Sequence, residues 1–228
     1  MANDQQRLVG RLFRTLEGAG VLDHVVLIGS WCLPAYKHYF AGVPFEPGIR
    51  TRDIDLLVPT PLRLKQPVDM EEILGPLGFV LRRGGEKGYM QFVHAELMLE
   101  FIVPERGRGS EKPYDLRALG INAQPLRYMD FLCKDVLQLP FGGLDVSVPH
   151  PARFVLLKLI VSGRRQKPVK RENDLRQAAQ VFRALVASRQ PEKLREAFAA
   201  MPKKWQSDVR RTLAALPDSE TWGRGILA

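Results

Sequence analysis

Asp53 and Asp55 stand two residues apart in Arg52-Asp-Ile-Asp-Leu-Leu-Val58, a stretch that otherwise reads as buried strand. Strand alternation puts both carboxylates on one face, with their Cα atoms about 7 Å apart. At ~5 Å and an effective dielectric near 20 two such charges repel by about 3 kcal/mol, so the pair calls for a cation. Hard oxygen ligands at this spacing suit a divalent ion. Two further features supply the rest of a site. Glu100 interrupts the apolar run Leu97-Met-Leu-Glu-Phe-Ile-Val103, where an uncompensated charge is costly. Gly29-Ser30 lies where an apolar run ending at Ile28 feeds a helix. Backbone N–H groups and the positive helix end face outward there, and Ser30 adds a hydroxyl donor, so a phosphate group fits. Taken alone, Gly-Ser at such a junction is a turn and a helix cap, and edge-strand acids point to solvent. The three features together favour a site.

Three converging carboxylates would hold two divalent ions about 3.5 to 4 Å apart, one activating an attacking hydroxyl and one steadying a triphosphate and its leaving pyrophosphate. Asp55 is the residue to touch both ions. Glu100 serves as base or as orienter of the hydroxyl, within about 3.2 Å of it. Lys158 lies inside the apolar Phe154-Val-Leu-Leu-Lys-Leu-Ile-Val161, where a lysine either snorkels to water or meets an anion. Beside Arg164, Arg165 and Lys170 the anion is favoured, and Asp174 offers a structural partner to Lys158 or Lys170. Trp31 could stack on a base but reads as a core or interface aromatic, and Cys32 as a small buried hydrophobe rather than a nucleophile. Neither a Gly-x-Ser-x-Gly elbow nor a Gly-x-x-x-x-Gly-Lys loop supports a rival enzyme class.

The elements that must position these residues follow from periodicity and punctuation. Leu8, Val9, Leu12, Phe13 and Leu16 predict an amphipathic helix over 4–19. Val21 to Ile28 reads as a strand, and Trp31 to Phe40 as a helix in which Pro34 must sit in the first turn. A loop over 41–51 delivers the aspartate strand. Asp69-Met-Glu-Glu72 has the form of a capping box for a short helix closed by Gly75-Pro76. Strands are expected over 79–83, 88–94 and 97–103, with turns at 84–87 and 94–96 and a charged loop over 105–113. Weaker signals place a strand over 116–121, a helix over 129–136 and a strand over 144–148. From His150-Pro151 onward the pattern is helical, over 151–162 and 172–188, with further helices starting at Pro191 and Pro202 and a basic linker between the first two. The chain thus divides into a sheet domain, 1–149, and a helical domain, 150–228.

Its 228 residues include 34 Lys and Arg against 25 Asp and Glu, a net charge of +9. That balance favours polyanionic partners, nucleic acid or phosphate-rich small molecules, although charge also simply solubilises. Two isolated cysteines and four scattered histidines exclude zinc spacing. No run of 18 apolar residues crosses a membrane, and the first residues lack a secretory layout, so the cytoplasm is the expected location.

Leu27-Ile-Gly-Ser-Trp-Cys-Leu33, Thr51-Arg-Asp-Ile-Asp-Leu-Leu57 and Leu99-Glu-Phe-Ile-Val103 together resemble the signature of the DNA polymerase beta-like nucleotidyltransferase superfamily. Its members share a Gly-Gly or Gly-Ser strand-to-helix turn, an Asp-x-Asp pair and a third acid on a later strand. The resemblance implies an α/β (α+β) nucleotidyltransferase fold, a mixed central sheet with flanking helices followed by a helical domain. It assigns Gly29 and Ser30 to the phosphate turn, Asp53 and Asp55 to the metal pair and Glu100 to the third carboxylate, one methylene longer than the usual aspartate. It implies Mg2+ (or Mn2+), a nucleoside triphosphate substrate and transfer of the nucleoside monophosphate to a hydroxyl of RNA, protein or a small molecule. Pro149-His-Pro-Ala-Arg-Phe154, Lys158 to Arg165 and Lys170 to Ala179 resemble the helical part of a bacterial family related to the nucleotidyltransferase toxins of toxin–antitoxin pairs. That implies a neutralising protein partner and a role for Lys158, Arg164, Arg165 and Lys170 in holding triphosphate or acceptor. The alternative is an inactive module of the same fold that binds RNA or a protein through its basic helices.

Overall fold

In the computed structural model, residues 2–48, 51–84, 87–105, 107 and 112–227 are described. The turn expected at 84–87, the loop at 105–113 and the end of the 41–51 loop lie partly outside the described residues. The chain divides into two compact units, Met1–His38 with Gly48–Pro149, and Tyr39–Pro47 with His150–Ala228.

In the first unit the apolar stripe of α1 (Ala2–Gly18) is buried at Leu8, Val9, Leu12, Phe13 and Leu16, as its period requires. Strand β1 is only Val26–Ile28. The exposed pair Asp23 and His24 splits the apolar run, and Leu22–His24 form a 3-10 turn instead of strand. A second 3-10 turn, Gly29–Trp31, leads into α2 (Cys32–Tyr39), whose first turn contains Pro34. After β2 (Asp53–Leu57) comes α3 (Met70–Leu74). Its cap is Asp69, which accepts hydrogen bonds from the N–H groups of Glu71 and Glu72 at 2.9 and 3.2 Å.

Strands β3 (Val80–Gly84), β4 (Tyr89–Val93) and β5 (Met98–Pro104) complete a sheet in the order β1-β2-β5-β4-β3. β2 and β5 run parallel and the other neighbours in that order antiparallel. The segment expected as a strand over 116–121 is instead a 3-10 turn between β6 (Tyr114–Leu116) and β7 (Ile121–Leu126), because Gly120 takes φ +64° and reverses the chain. β7 joins the far end of β5, pairing Ile102 with Gln124. Asn122 ties β7 to β4, accepting from the Met90 N–H at 2.8 Å and donating to the Gly88 carbonyl at 3.2 Å.

Helix α4 (Met129–Leu132) is one turn long. The residues after it, expected to continue the helix to 136, open β8 (Val136–Phe141), which pairs with β9 (Leu144–Pro149) across Gly142-Gly143. Phe141 of this hairpin packs edge-on against Phe13 and Trp31, with ring centroids 5.3 and 6.2 Å away.

The second unit is helical: α5 (Pro151–Ser162), α6 (Pro168–Ala187), α7 (Pro191–Ala199), α8 (Lys203–Ala214) and α9 (Ser219–Ile226). Proline opens α5, α6 and α7, where its fixed φ suits the first turn and its missing N–H costs nothing. Hence α6 starts at Pro168 and takes in residues expected as linker. α5 is the buried centre, with Phe154, Val155, Leu156, Leu159 and Ile160 all buried. Trp222 of α9 stacks on Phe182 of α6 at 4.1 Å, over Gly225, whose missing side chain makes room for the ring. Phe40 and Phe45, ring centroids 5.0 Å apart, belong to this unit with the segment that carries them.

Candidate active site

The sheet register forms one row of polar residues. Asp55 on β2 lies beside Ile28 of β1 and, in parallel register, beside Glu100 of β5. Glu100 pairs with Gln91 of β4, and Gln91 with Arg82 of β3. Residues in register project from the same face, so Asp55, Glu100, Gln91 and Arg82 share one side of the sheet, with Asp53 two residues before Asp55. Ile54 and Leu56 face the opposite side and are fully buried, which locks the register: a slip of one residue would drive the aspartates into the core. Asp53, Asp55 and Glu100 are half-buried.

Each acid has a neighbour. The Asp53 N–H donates to Thr51 Oγ1 at 3.1 Å. The Asp55 carboxylate presses on the strand-to-helix turn: a methyl group on Gly29 would lie 2.6 Å from Asp55 Oδ2. Gly29 also has φ +71°, so this position needs glycine for both space and backbone. The turn expected to take a phosphate therefore also lies against Asp55. Ser30 follows it, half-buried, in the same turn. Gln91 Nε2 donates to Glu100 Oε1. The carboxylates of Asp55 and Glu100, on strands about 4.8 Å apart, are thus turned toward opposite neighbours, as like charges would be. Among the described residues no three of His, Cys, Asp and Glu are grouped as a metal cage.

The donor chemistry nevertheless fits a hard divalent cation. Asp53 and Asp55 offer oxygen ligands from one strand face, and such ions accept one or two carboxylates together with substrate phosphates and water. The three acids expected as a metal set stand on one face without being grouped as a cage among the described residues, and Glu100 accepts a hydrogen bond from Gln91. Gln91, Thr51 and Gly84 are the residues at the site that sequence reasoning missed. The available signal was Gln91 itself, a polar residue inside Tyr89-Met-Gln-Phe-Val93.

The other basic residues singled out lie in the helical unit. Lys158 Nζ donates to Asp174 Oδ1 at 2.6 Å and lies 5.5 Å from the centre of the Phe154 ring. Arg165 Nε donates to Asp174 Oδ2 at 2.9 Å. The Asp174 side chain is 4% exposed, so the anion that Lys158 meets is an internal one. Arg164 and Arg211 both bind Asp208, at 2.7 and 3.2 Å, and the Arg164 guanidinium holds the Asp208 carboxyl below its ordinary value against the opposing effect of burial. Each of the two carboxylates is thus paired with two basic side chains. Lys170 is exposed in the first turn of α6. Cys32 is buried, its thiol donating to the Leu27 carbonyl at 3.0 Å, and burial pushes the Cys133 thiol up to about 11, so neither is an activated nucleophile.

A family model described as Nucleotidyltransferase matches residues 7–202. No curated protein matches the sequence. Among solved structures the chain is similar to an antigenic nucleotidyltransferase-like protein from Paracoccidioides brasiliensis, at 14% identity and a TM-score of 0.50, over 98% of this chain and 94% of that one. It is also similar to the antibiotic-resistance factor ANT(2'')-Ia, at 15% identity and a TM-score of 0.43, over 83% of this chain and 93% of that one. At 14% identity the likeness to the first of these concerns the fold.

Proposed function

The chain belongs to the nucleotidyltransferase family whose model spans most of its length, a relationship within the DNA polymerase beta-like superfamily, and from that premise we propose that it transfers a nucleoside monophosphate from a nucleoside triphosphate to a hydroxyl acceptor, releasing pyrophosphate. The observation that carries the reading is the single sheet face on which Asp53 and Asp55 stand, with Glu100 in register with Asp55 and the Gly29-Ser30 turn against Asp55.

In this reading Asp53 and Asp55 would hold Mg2+ or Mn2+, which would supply positive charge to neutralise the triphosphate and polarise the α-phosphate. The N–H groups at the start of the Gly29–Trp31 turn and α2, with the Ser30 hydroxyl, bind the β- and γ-phosphates. Glu100 orients the acceptor and takes its proton as the hydroxyl oxygen bonds to the α-phosphorus. The bond from that phosphorus to the β-bridging oxygen breaks, and the electron pair leaves with pyrophosphate. Lys158, Arg164, Arg165 and Lys170 add positive potential for triphosphate or acceptor. RNA, a protein or a small molecule can supply the hydroxyl, and in the toxin-like variant of this reading a protein partner silences the activity.

The test is a panel of nucleoside triphosphates labelled at the α-phosphate, incubated with Mg2+, cellular RNA and cellular protein. Label should become covalently attached to one acceptor class as pyrophosphate appears, and Asp55→Ala should lose at least about a hundredfold in rate while keeping the wild-type circular dichroism spectrum. No transfer from any triphosphate, or normal transfer by Asp55→Ala, overturns the reading. If expression of the chain arrests growth and Asp55→Ala does not, the toxin-like variant is supported.

A further inference from the structure

Three observations on the active face converge on Gln91. Its Nε2 donates to Glu100 Oε1. Its Oε1 lies against Gly84, where a methyl group would come within 2.5 Å of it, and within 3.0 Å of the amide carbon. The acids of the described residues form no three-ligand group, although Glu100 stands in register with Asp55. A carboxylate only accepts hydrogen bonds, so the amide nitrogen must be the atom that faces Glu100, and this fixes which way the amide is turned.

We infer that Gln91 is a positioning residue that holds Glu100 out of the metal-binding set, seated in a recess that exists because residue 84 is glycine. The inference rests on the reading that Asp53 and Asp55 are the metal ligands. Glutamate reaches one methylene further than aspartate. Left free beside Asp55, it would swing onto the same cation and be spent as a ligand. Held by Gln91 through Oε1, it keeps Oε2 for the acceptor hydroxyl. The row Asp55, Glu100, Gln91 thus separates two carboxylates of adjacent strands into two tasks, binding the ion and handling the acceptor. Gly84 is the remote control of this arrangement. Its φ lies outside the left-handed region, so alanine is allowed by the backbone, and its methyl group would displace the Gln91 amide without touching any acid.

The experiment titrates the full chain with Mn2+ alone, following free ion by electron paramagnetic resonance. Asp55→Asn should weaken binding about tenfold or more, whereas Glu100→Gln should change it by less than about twofold. Gln91→Ala should tighten binding about threefold or more by releasing Glu100 onto the ion, Gly84→Ala should do the same, and the gain should vanish when Glu100→Gln is added to either. A merely structural Gln91 would not produce a gain that depends on Glu100. If Gln91→Ala and Gly84→Ala leave Mn2+ affinity unchanged, or if Glu100→Gln weakens it as much as Asp55→Asn does, the inference is overturned while the aspartate pair stands. If wild-type Mn2+ binding is absent or indifferent to Asp55→Asn, the aspartate-pair reading falls and the role of Gln91 falls with it.

Discussion

Gly29 meets two demands at one Cα: a left-handed backbone and the nearby carboxylate of Asp55. Alanine there would incur the left-handed penalty of about 1–2 kcal/mol. It would also force Asp55 to move. Gly29→Ala should therefore lower the free energy of unfolding in urea by about that amount, and should reduce nucleotidyl transfer by a much larger factor than the stability loss explains. A stable but inactive variant would separate the second demand from the first. The Asp-x-Asp pair and the glycine were legible because each breaks a local rule, a charge in an apolar strand or a glycine at the end of one. Gln91 broke a weaker rule, since one polar residue in a half-buried strand is ordinary, and only the register with Glu100 gave it meaning.

At the scale of the element, the packing of α5 against α6 turns on Asp174. This carboxylate carries Lys158, 13% exposed, and Arg165, 39% exposed. Removing it alone strands Lys158, and Asp174→Ala should cost about 3–5 kcal/mol in urea denaturation. Arg165→Ala should cost less, because that side chain is partly hydrated and Lys158 keeps the anion paired. Lys158→Met with Asp174→Leu should recover most of the loss, since an apolar pair leaves no buried charge. At the end of α5, Arg164 holds Asp208 of α8. The Asp208 carboxyl sits below its ordinary value of 3.8, so its contribution is fully present above that pH and is lost as pH falls through the lowered value. In Arg164→Ala the shift is reduced, and the thermal midpoint should fall less steeply than in wild type below about pH 4. The helices that open on proline were readable to within a few residues. β8 was not: Val136 to Phe141 follows closely on a helical pattern, and it becomes a strand because the Gly142-Gly143 turn lets it pair with β9.

For the whole molecule, a net charge of +9 suits the triphosphate proposed as substrate. None of the described helices is long and apolar enough to cross a membrane. The sheet unit is held by its apolar core, not by the ion proposed for the aspartates. EDTA should therefore abolish transfer while leaving the thermal midpoint within about 2 °C, and added Mg2+ or Mn2+ should restore the activity. A large fall in midpoint with EDTA would instead make the cation structural.

The sequence alone determined the chemistry on offer: two aspartates on one strand face, a glycine turn before them, a third acid later and a helical C-terminal part. These are short-range facts, set by a two-residue period, by backbone freedom at glycine and by proline at helix starts. Tertiary structure decided which side chains meet. Strand order and register are long-range pairings, and no local pattern states that Glu100 lies beside Asp55 yet is bound by Gln91, or that Lys158 and Arg165 share one buried carboxylate.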